Sequence, residues 1–357
     1  MFQSPYLPVF ALTRGETVES IHNGAMAVVD ARGQLLAWYG DPAAITYLRS
    51  SAKPFQALPF ILHGGDRQFN LTQREISVMC ASHSGTDEHV AVIRGIQAKT
   101  GVSEGQLLCG VHQPYHKQTA DALRDRNEEP TPNRHNCSGK HTGMLAFVRL
   151  QAQLTGEPES DIPYIDPRHP IQQEILQTFA KFCDMPVERV GQGIDGCSAP
   201  NFAVPLRNAA LGFARLSDPE VGGVKGNQMD ACHTIVSAMV SHPDMVGGPD
   251  SFDTYLMRVA GGRILAKGGA EGYQGLGLLP GTLGPGSPGV GIALKIGDGD
   301  ARGKARSAVV LEVLQQLGVL SLHELQELAE YGPSSPVLNW RKIVVGQAYP
   351  VFSLSKK

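Results

Sequence analysis

The sequence lacks the features that would place it in a membrane or on a nucleic acid. In its 357 residues no uninterrupted apolar run reaches the roughly 18 residues that a transmembrane helix needs. Residues 1–8 have neither the basic n-region nor the apolar h-region of a signal peptide. The net charge is -3 and no long basic run occurs, so neither nucleic acid nor an anionic membrane surface is an expected partner. We therefore expect a cytoplasmic protein that acts on small molecules.

Cysteine is sparse and scattered, which excludes a small disulfide scaffold. The six cysteines are Cys80, Cys109, Cys137, Cys183, Cys197 and Cys232. We expect them to be thiols or metal ligands of a reducing compartment. Charged residues make up only 18% of the chain and hydrophobic residues 42%, which is ample material for a core. With no repeat and no clear boundary in the sequence, we predict a single catalytic domain over residues 1–357.

The periodicity of apolar residues predicts strands at both ends of the chain and helices between them. Residues 7–40 alternate as two or three antiparallel strands, including a hairpin of 24–30 with 35–39, and strands return at 289–296 and 343–345. Helical periodicity covers 50–63, 71–82, 87–99, 143–153, 170–183, 205–216, 226–242 and 303–317, so the middle of the chain, about 140–260, is mostly helical. The pattern predicts an α+β fold, with a mainly antiparallel sheet from the N- and C-terminal segments flanked by helices.

A serine and a lysine stand three residues apart just after the predicted hairpin. On a helix that begins near Ser50, this residue and Lys53 share one face. A lysine amine can take the proton of a serine hydroxyl if burial or another cation lowers the amine pKa from its usual value of about 10.4. The pattern is also common at ordinary exposed helix starts. Serine β-lactamases and penicillin-binding proteins combine it with an upstream hairpin and a downstream Lys-Thr-Gly strand, for which Lys267-Gly268-Gly269 is the candidate here.

Four further segments combine reactive side chains with glycines. They are residues 80–85 (CASHSG), 134–141 (RHNCSGKH), 193–201 (GIDGCSAPN) and 266–272 (AKGGAEG). Glycine lets a backbone approach a ligand closely or adopt positive φ, so such combinations often line binding sites.

These five blocks together resemble the Rhizobium etli-type L-asparaginases, the asparaginase II family, over about residues 10 to 345. The resemblance implies a fold like that of serine β-lactamases and glutaminases. It also implies hydrolysis of L-asparagine to L-aspartate and ammonia, two serine-lysine pairs beside a zinc site, and a homodimer. Carried over residue by residue, one pair is Ser50 with Lys53 and the other is Ser82 with Lys267. The zinc ligands fall on Cys137, Lys140 and Cys197, and the substrate-holding residues on Arg49, Asp195, His141 and Gly268.

Amide hydrolysis needs a nucleophile, a base, an acid for the leaving ammonia and donors for the oxyanion. We assign Ser50 as nucleophile, Lys53 as its base, and Ser82 with Lys267 as the proton relay, while the choice of attacking serine stays open. Arg49 suits the substrate carboxylate because its guanidinium offers a bidentate fork. Asp195 suits the substrate ammonium.

Simpler interpretations stay open for most of these residues. The competing interpretation of Arg49 is an ordinary surface charge. For Asp195 it is a turn residue whose carboxylate hydrogen-bonds to its own backbone. Cys137 and Cys197 are also read as inert buried thiols, because lysine is a rare zinc ligand that must first lose a proton. His135 and His141 are alternative ligands. The histidines at 83, 89, 112 and 116 are expected to be capping, core or surface groups.

Three other functions compete with asparagine hydrolysis. A penicillin-recognising serine hydrolase shares the first pair, although the two cysteine motifs have no task in its chemistry. A glutaminase differs by one substrate methylene, which is worth only about 1 to 3 kcal/mol of discrimination. A binding protein for an amino acid or a metal would retain the fold without turnover.

Overall fold

The structure is a computed structural model that describes residues 4–301 and 303–357. Over these residues the strands are β1 (Leu7–Arg14), β2 (Thr17–Asp30), β3 (Leu35–Tyr39), β4 (Ile45–Tyr47), β5 (Gly191–Ile194), β6 (Pro200–Pro205), β7 (Ile264–Gly269), β8 (Tyr273–Leu278), β9 (Val290–Ile296), β10 (Ser335–Leu338), β11 (Val344–Pro350) and β12 (Ser355–Lys356).

The α-helices of the same residues are α1 (Lys53–Leu62), α2 (Gly65–Gln68), α3 (Gln73–Met79), α4 (Asp87–Thr100), α5 (Lys117–Asp125), α6 (Ser138–Thr155), α7 (Pro170–Phe182), α8 (Leu206–Ser217), α9 (Asn227–Ser241), α10 (Pro243–Val246), α11 (Phe252–Val259), α12 (Ala305–Gln316) and α13 (Leu322–Glu327). Short 3-10 helices cover Arg49–Ala52, Glu104–Gln106, Pro132–Arg134 and Val187–Arg189. None of these helices combines the length and apolarity that a membrane span requires, as far as the described residues go.

The chain divides into two compact units. The first unit comprises the chain up to Ser51, Val204–Gly223 and Leu256–Lys357. The second unit comprises Ala52–Ala203 and Val224–Tyr255. The single catalytic domain over 1–357 stays a prediction.

The first unit is built on one antiparallel sheet in the order β10-β11-β1-β2-β9-β8-β7, with β3 paired to β2 and β12 paired to β3. The long strand β2 pairs with β1 through its first half and with β9 through its second half. That second half, residues 24–30, is buried throughout, as an apolar run flanked by strands on both sides requires. The predicted α+β fold, with its sheet from the N- and C-terminal segments, is confirmed.

Helices cover both faces of this sheet. On one face α8 approaches the strands directly, because an ideal Cβ at Gly291 would lie 1.8 Å from Ala210 O and one at Gly275 would lie 2.2 Å from the Phe213 ring. Alternate residues of β9, Ile292 and Leu294, therefore point to the opposite face. There α12 contacts β9, β8, β1 and β11. The sheet is thus flanked by helices, as predicted.

The second unit is mostly helical. Its helix α1 packs against α6, α7 and α9, and α3 packs against α4, α6 and α9. Aromatic side chains fill part of its core, with Phe179 edge-on to Phe55 and stacked on Phe202. Strands β5 and β6 form a hairpin whose connecting residues run from 195 to 199. The mostly helical middle region is confirmed.

Two predicted helices have boundaries that differ from those indicated by the sequence pattern. The helix predicted over 50–63 begins as the 3-10 turn Arg49–Ala52 and becomes α-helical only at Lys53. The helix predicted over 71–82 stops at Met79, so Ser82 lies in a loop. Strands β5 and β6 and helix α5 were not predicted, because their sequences are short or carry little apolar periodicity.

Candidate active site

Lys53 and Ser82 lie next to each other in the second unit. The Lys53 Nζ atom donates a hydrogen bond to Ser82 Oγ at 3.0 Å and another to Ala81 O. Lys53 is the first residue of α1, followed by Pro54, which is favourable there because its missing N–H has no partner in the first turn. The lysine side chain is buried, at 1% exposure, whereas Ser82 is half-buried. The amine is therefore shielded from water, while part of the serine residue is exposed.

The loop that carries Ser82 is tied down on several sides. The Ser82 N–H donates to Val246 O at 2.9 Å. At Gly85 the backbone has φ +74°, and an ideal Cβ would lie 2.7 Å from Arg134 O. Arg134 in turn donates from Nη1 to Gly85 O at 2.9 Å. Glycine at position 85 is thus needed both for its positive φ and for this close approach.

Two thiols and an amine meet beside this loop. Lys140 Nζ donates to Cys197 Sγ at 2.9 Å, and Cys137, Lys140 and Cys197 are all buried. The pKa of Cys137 lies well below its usual value, mainly because the Cys197 thiol hydrogen-bonds to it and because Lys53 and Lys140 are positively charged neighbours. Burial alone would lower the pKa of Lys140, but the Cys197 and Cys137 sulfurs outweigh burial and raise it. The thiolate form of Cys137 is therefore favoured beside the Lys140 ammonium.

Close backbone packing creates this cluster. Helix α6 begins at Ser138, and an ideal Cβ at Gly139 would lie 2.2 Å from Val78 O, so only glycine lets this first turn approach α3. Cys197 comes from the loop between β5 and β6, where Ser198 has φ +70°. Gly139, which marked its segment in the sequence, therefore serves close approach.

His141 and Asp195 adjoin the cluster. His141 is fully buried, and its Nδ1 shares a 2.8 Å hydrogen bond with the Tyr164 hydroxyl. Burial, aided by the charge of Lys140, lowers the pKa of His141 to about 4. Among the described residues its Nε2 has no hydrogen-bond partner, although Cys197 is close enough to affect its pKa. Asp195 accepts a hydrogen bond from Gly196 N through Oδ1 at 2.8 Å, and it also acts on the pKa of Lys140.

The donor set fits a zinc ion only if lysine takes part. Over residues 4–301 and 303–357 no three His, Cys, Asp or Glu side chains form a group that could hold a metal. Cys137 and Cys197 remain as two soft sulfur donors, with the Lys140 amine as the third atom and the orphaned His141 Nε2 nearby. All six cysteines lie in the described part and are thiols, so both sulfurs are available. The residues fit zinc, provided that Lys140 loses its proton on binding.

The remaining predicted residues lie in the first unit, around the end of β7. Lys267 is 1% exposed, its Nζ donates to Gly268 O at 2.7 Å, and its carbonyl accepts a hydrogen bond from Ser51 Oγ. An ideal Cβ at Gly269 would lie 2.3 Å from Leu48 O, so glycine lets the turn that carries the half-buried Ser50 pack on this strand.

Arg49 begins that turn in a left-handed conformation, with φ +52°. Its Nη1 lies 3.9 Å from Glu271 Oε1, and its side chain is 28% exposed. Arg49, Ser50, Lys267 and Gly268 thus form one group within the first unit, as Lys53, Ser82, Asp195, His141 and the zinc candidates do within the second. Their chemical roles stay predictions.

Sequence reasoning missed two residues of the second group, His83 and Ser138. Each directly follows a candidate residue, His83 after Ser82 and Ser138 after Cys137. Neighbourhood in the sequence alone does not give a histidine or a serine a role in the site. Only the folded structure shows that the two side chains touch, with His83 Nε2 2.9 Å from Ser138 Oγ.

Among solved structures, the chain is similar to a Bacillus subtilis glutaminase in covalent complex with 5-oxo-L-norleucine, at 10% identity and a TM-score of 0.38, over 83% of this chain and 88% of that one. It is also similar to a Bacillus glutaminase, at 12% identity and a TM-score of 0.35, over 83% of this chain and 91% of that one. A search of curated proteins found no match.

A family model gives the decisive comparison. The model described as L-asparaginase II matches residues 10–350, which is almost the whole chain and includes every candidate residue discussed above. The expected resemblance is therefore confirmed, and the chain belongs to the L-asparaginase II family of amidohydrolases.

Proposed function

We propose that this protein hydrolyses the side-chain amide of L-asparagine to L-aspartate and ammonia through a serine ester. Family membership supports an amidohydrolase. The observation that carries the mechanism is the 3.0 Å contact between the Lys53 amine and the Ser82 hydroxyl. A nucleophile and a base within hydrogen-bond distance are what a serine mechanism requires.

The reaction begins when Lys53, in its neutral form, takes the Ser82 proton and Ser82 Oγ attacks the amide carbon. The tetrahedral intermediate collapses, the lysine ammonium gives its proton to the amide nitrogen, and the C–N bond breaks to release ammonia. Water then attacks the ester while Lys53 accepts its proton, the bond from the acyl carbon to Ser82 Oγ breaks, and the lysine ammonium returns the proton to Ser82 Oγ as aspartate leaves. In this scheme Lys53 serves Ser82. The assignment of Ser50 as nucleophile, with Lys267 in a proton relay, remains the competing scheme.

Recognition of a free amino acid needs an anion for its ammonium and a cation for its carboxylate. Asp195 is the candidate anion, because it lies beside the thiol cluster and its carboxylate acts on the pKa of Lys140. His141 offers its unsatisfied Nε2 as a polar contact. Arg49 and Gly268 remain the candidates for the substrate carboxylate and backbone.

We include a zinc ion held by Cys137, Lys140 and Cys197 in this proposal. When bound, zinc would supply positive charge for an oxygen of the substrate. Lys140 would bind as a neutral amine, and Cys137, which favours the thiolate form, is prepared for the metal. We also expect a homodimer, and light scattering of the purified protein would measure its molar mass in solution.

Ammonia release by the purified protein tests the proposal. We expect turnover of L-asparagine, slower turnover of L-glutamine, and none of the β-lactam nitrocefin. Ser82→Ala and Lys53→Met should each lower kcat by roughly 100- to 10,000-fold, since each removes a proton-transfer partner or the nucleophile. Ser103→Ala, at an exposed serine, is the matched control and should leave kcat unchanged.

Different failures identify different errors. An intact, zinc-supplemented protein that releases no ammonia from either amino acid would refute the amidase function. Full activity in Ser82→Ala, together with inactive Ser50→Ala, would keep the function and transfer the nucleophile to Ser50. Faster release from glutamine than from asparagine would make the protein a glutaminase.

A further inference from the structure

The side chain next to the proposed nucleophile is built into the fold through both of its ring nitrogens. His83 is fully buried, and its Nδ1 accepts a hydrogen bond from Gly85 N at 3.2 Å. Its Nε2 lies 2.9 Å from Ser138 Oγ. That hydroxyl has a single hydrogen, which it donates to Asn133 O at 2.8 Å. His83 must therefore donate from Nε2 to Ser138, which fixes it as the neutral Nε2–H tautomer.

This hydrogen bond joins two segments that carry chemistry. Ser82 precedes His83, and Cys137 precedes Ser138, with Lys140 in the same first turn of α6. Stacking adds a second restraint, because the His83 ring lies parallel to the His89 ring at 5.0 Å between centroids. His89 is itself anchored, since its Nε2 donates to Asp244 O at 3.0 Å.

We propose that His83 is a positioning residue, whose hydrogen bond to Ser138 sets the position of Ser82 relative to the Cys137–Lys140 turn. The inference rests on the proposed function and adds a residue to it. His83 Nε2 and Nδ1 both bond to protein groups, so His83 acts through Ser82 and not on the substrate. A displacement of about 1 Å at a reacting atom can cost about 100-fold in rate.

Three substitutions separate the two hydrogen bonds of His83. A glutamine amide reaches about as far as Nε2 and can still donate to Ser138. An asparagine amide reaches only as far as Nδ1, so His83→Asn keeps the bond from Gly85 and loses the one to Ser138. His83→Leu loses both. Ser138→Ala removes the same hydrogen bond from the other side. His169→Asn is the matched control, because His169 is also buried and also accepts a backbone hydrogen bond, from Ile171 N, through Nδ1.

We expect His83→Asn, His83→Leu and Ser138→Ala to lower kcat about 100-fold with KM unchanged, as misplacement of a reacting group predicts. His83→Gln should retain most of the wild-type kcat, and the double variant His83→Asn/Ser138→Ala should be no slower than either single one. His169→Asn should leave kcat unchanged. The free energy of unfolding in urea is measured for every variant. Activities are then compared between variants of similar stability, so that a loss of activity is not a loss of folded protein.

Two results would overturn the inference while the proposed function stands. One is a wild-type kcat in His83→Asn, and the other is an equal loss in His83→Gln and His83→Asn. NMR of ¹⁵N-histidine-labelled protein should show that His83 carries its proton on Nε2 and none on Nδ1. A proton on Nδ1 would also overturn the inference. If the wild-type enzyme itself releases no ammonia, the proposed function fails, and this inference fails with it.

Discussion

Lys53 and Ser82 are 29 residues apart along the chain, yet the amine of one lies 3.0 Å from the hydroxyl of the other. Lys53 opens helix α1 and Ser82 follows helix α3, so the contact depends on how the second unit folds. The sequence pattern pairs Lys53 with Ser50, so this lysine now has two candidate partners. A lysine can serve only one serine as base in a given step.

The first prediction tests this partnership by a double-mutant cycle. If Lys53 activates Ser82, then Lys53→Met should cost nothing further once Ser82→Ala is present, because groups that act as one unit lose activity together. The losses of Lys53→Met and Ser50→Ala should instead multiply. The measurement is kcat/KM for ammonia release by the single and double variants. Multiplying losses for Lys53 and Ser82, with none further for Lys53 and Ser50, would restore the pairing with Ser50.

The sequence predicts the fold well where the patterns are long. The apolar half of β2 and the helices at 87–100, 170–182 and 227–241 agree with their periodicity to within a few residues. For Ser50 and Lys53 the local pattern is less decisive, because i,i+3 spacing implies a shared face only inside one α-helix, and their pairing stays a prediction. Here the chain is a 3-10 turn as far as Ala52, and the α-helix begins at Lys53. Local spacing could not reveal that the amine lies beside the distant Ser82.

The site was predictable only in part, for a similar reason. Reactive residues beside glycines marked four of the five segments, and the structure explains the glycines at 139 and 269 as points of close approach. The protonation states of the site residues could not be predicted from the sequence. The thiolate character of Cys137 depends on Lys53, Lys140 and Cys197, and their proximity is set by tertiary packing. His83 and Ser138 could not be linked from sequence, since 55 residues separate them.

The second prediction concerns zinc binding by the thiol cluster. Zinc added to metal-free protein at pH 7.5 should release between about one and two protons per ion, because Lys140 must lose its proton while Cys137 is already disposed to the thiolate. A pH indicator in weak buffer measures the release, and a chromophoric chelator measures affinity. Cys137→Ser and Cys197→Ser should each weaken binding at least tenfold.

Cys109→Ser is the control for this experiment. Cys109 is another buried thiol, but burial and the neighbouring Cys137 raise its pKa to about 12, so it stays protonated. Zinc affinity should not change in this variant. Binding that survives the loss of Cys197, or that releases no protons, would contradict a site that includes Lys140.

The third prediction is a loss of stability in mild acid. Burial lowers the pKa of His83 well below 6.5 and also lowers that of His89, and the two stacked rings repel each other when charged. The unfolded chain therefore takes up protons at about pH 6.5, where the folded chain does not. The contribution of the two neutral histidines to the free energy of unfolding is fully present above pH 6.5. It declines as the pH falls further, by up to about 1.4 kcal/mol per pH unit for each histidine.

Urea unfolding at a series of pH values between 8 and 5 measures this slope. His83→Gln removes one titrating ring, so its free energy of unfolding should fall less steeply on acidification than that of the wild type. Ser103→Ala, which removes an exposed hydroxyl and no titrating ring, is the control and should keep the wild-type slope. Equal slopes for the wild type and His83→Gln would show that His83 is already able to take up its proton in the folded state.

The fourth prediction compares two glycines one turn apart on α6. A Cβ at position 139 would lie 2.2 Å from the backbone oxygen of Val78, which cannot move without shifting α3. A Cβ at position 143 would meet the Met79 side chain, with its terminal carbon at 2.6 Å, and that flexible end can rotate away. Gly139→Ala should therefore cost about 1 to 3 kcal/mol of unfolding free energy, and Gly143→Ala clearly less. Because Gly139 stands between Cys137 and Lys140, Gly139→Ala should also weaken zinc binding and ammonia release, whereas Gly143→Ala should leave both near wild type. Equal stability and equal zinc affinity in the two variants would mean that the approach of α6 to α3 does not assemble the site.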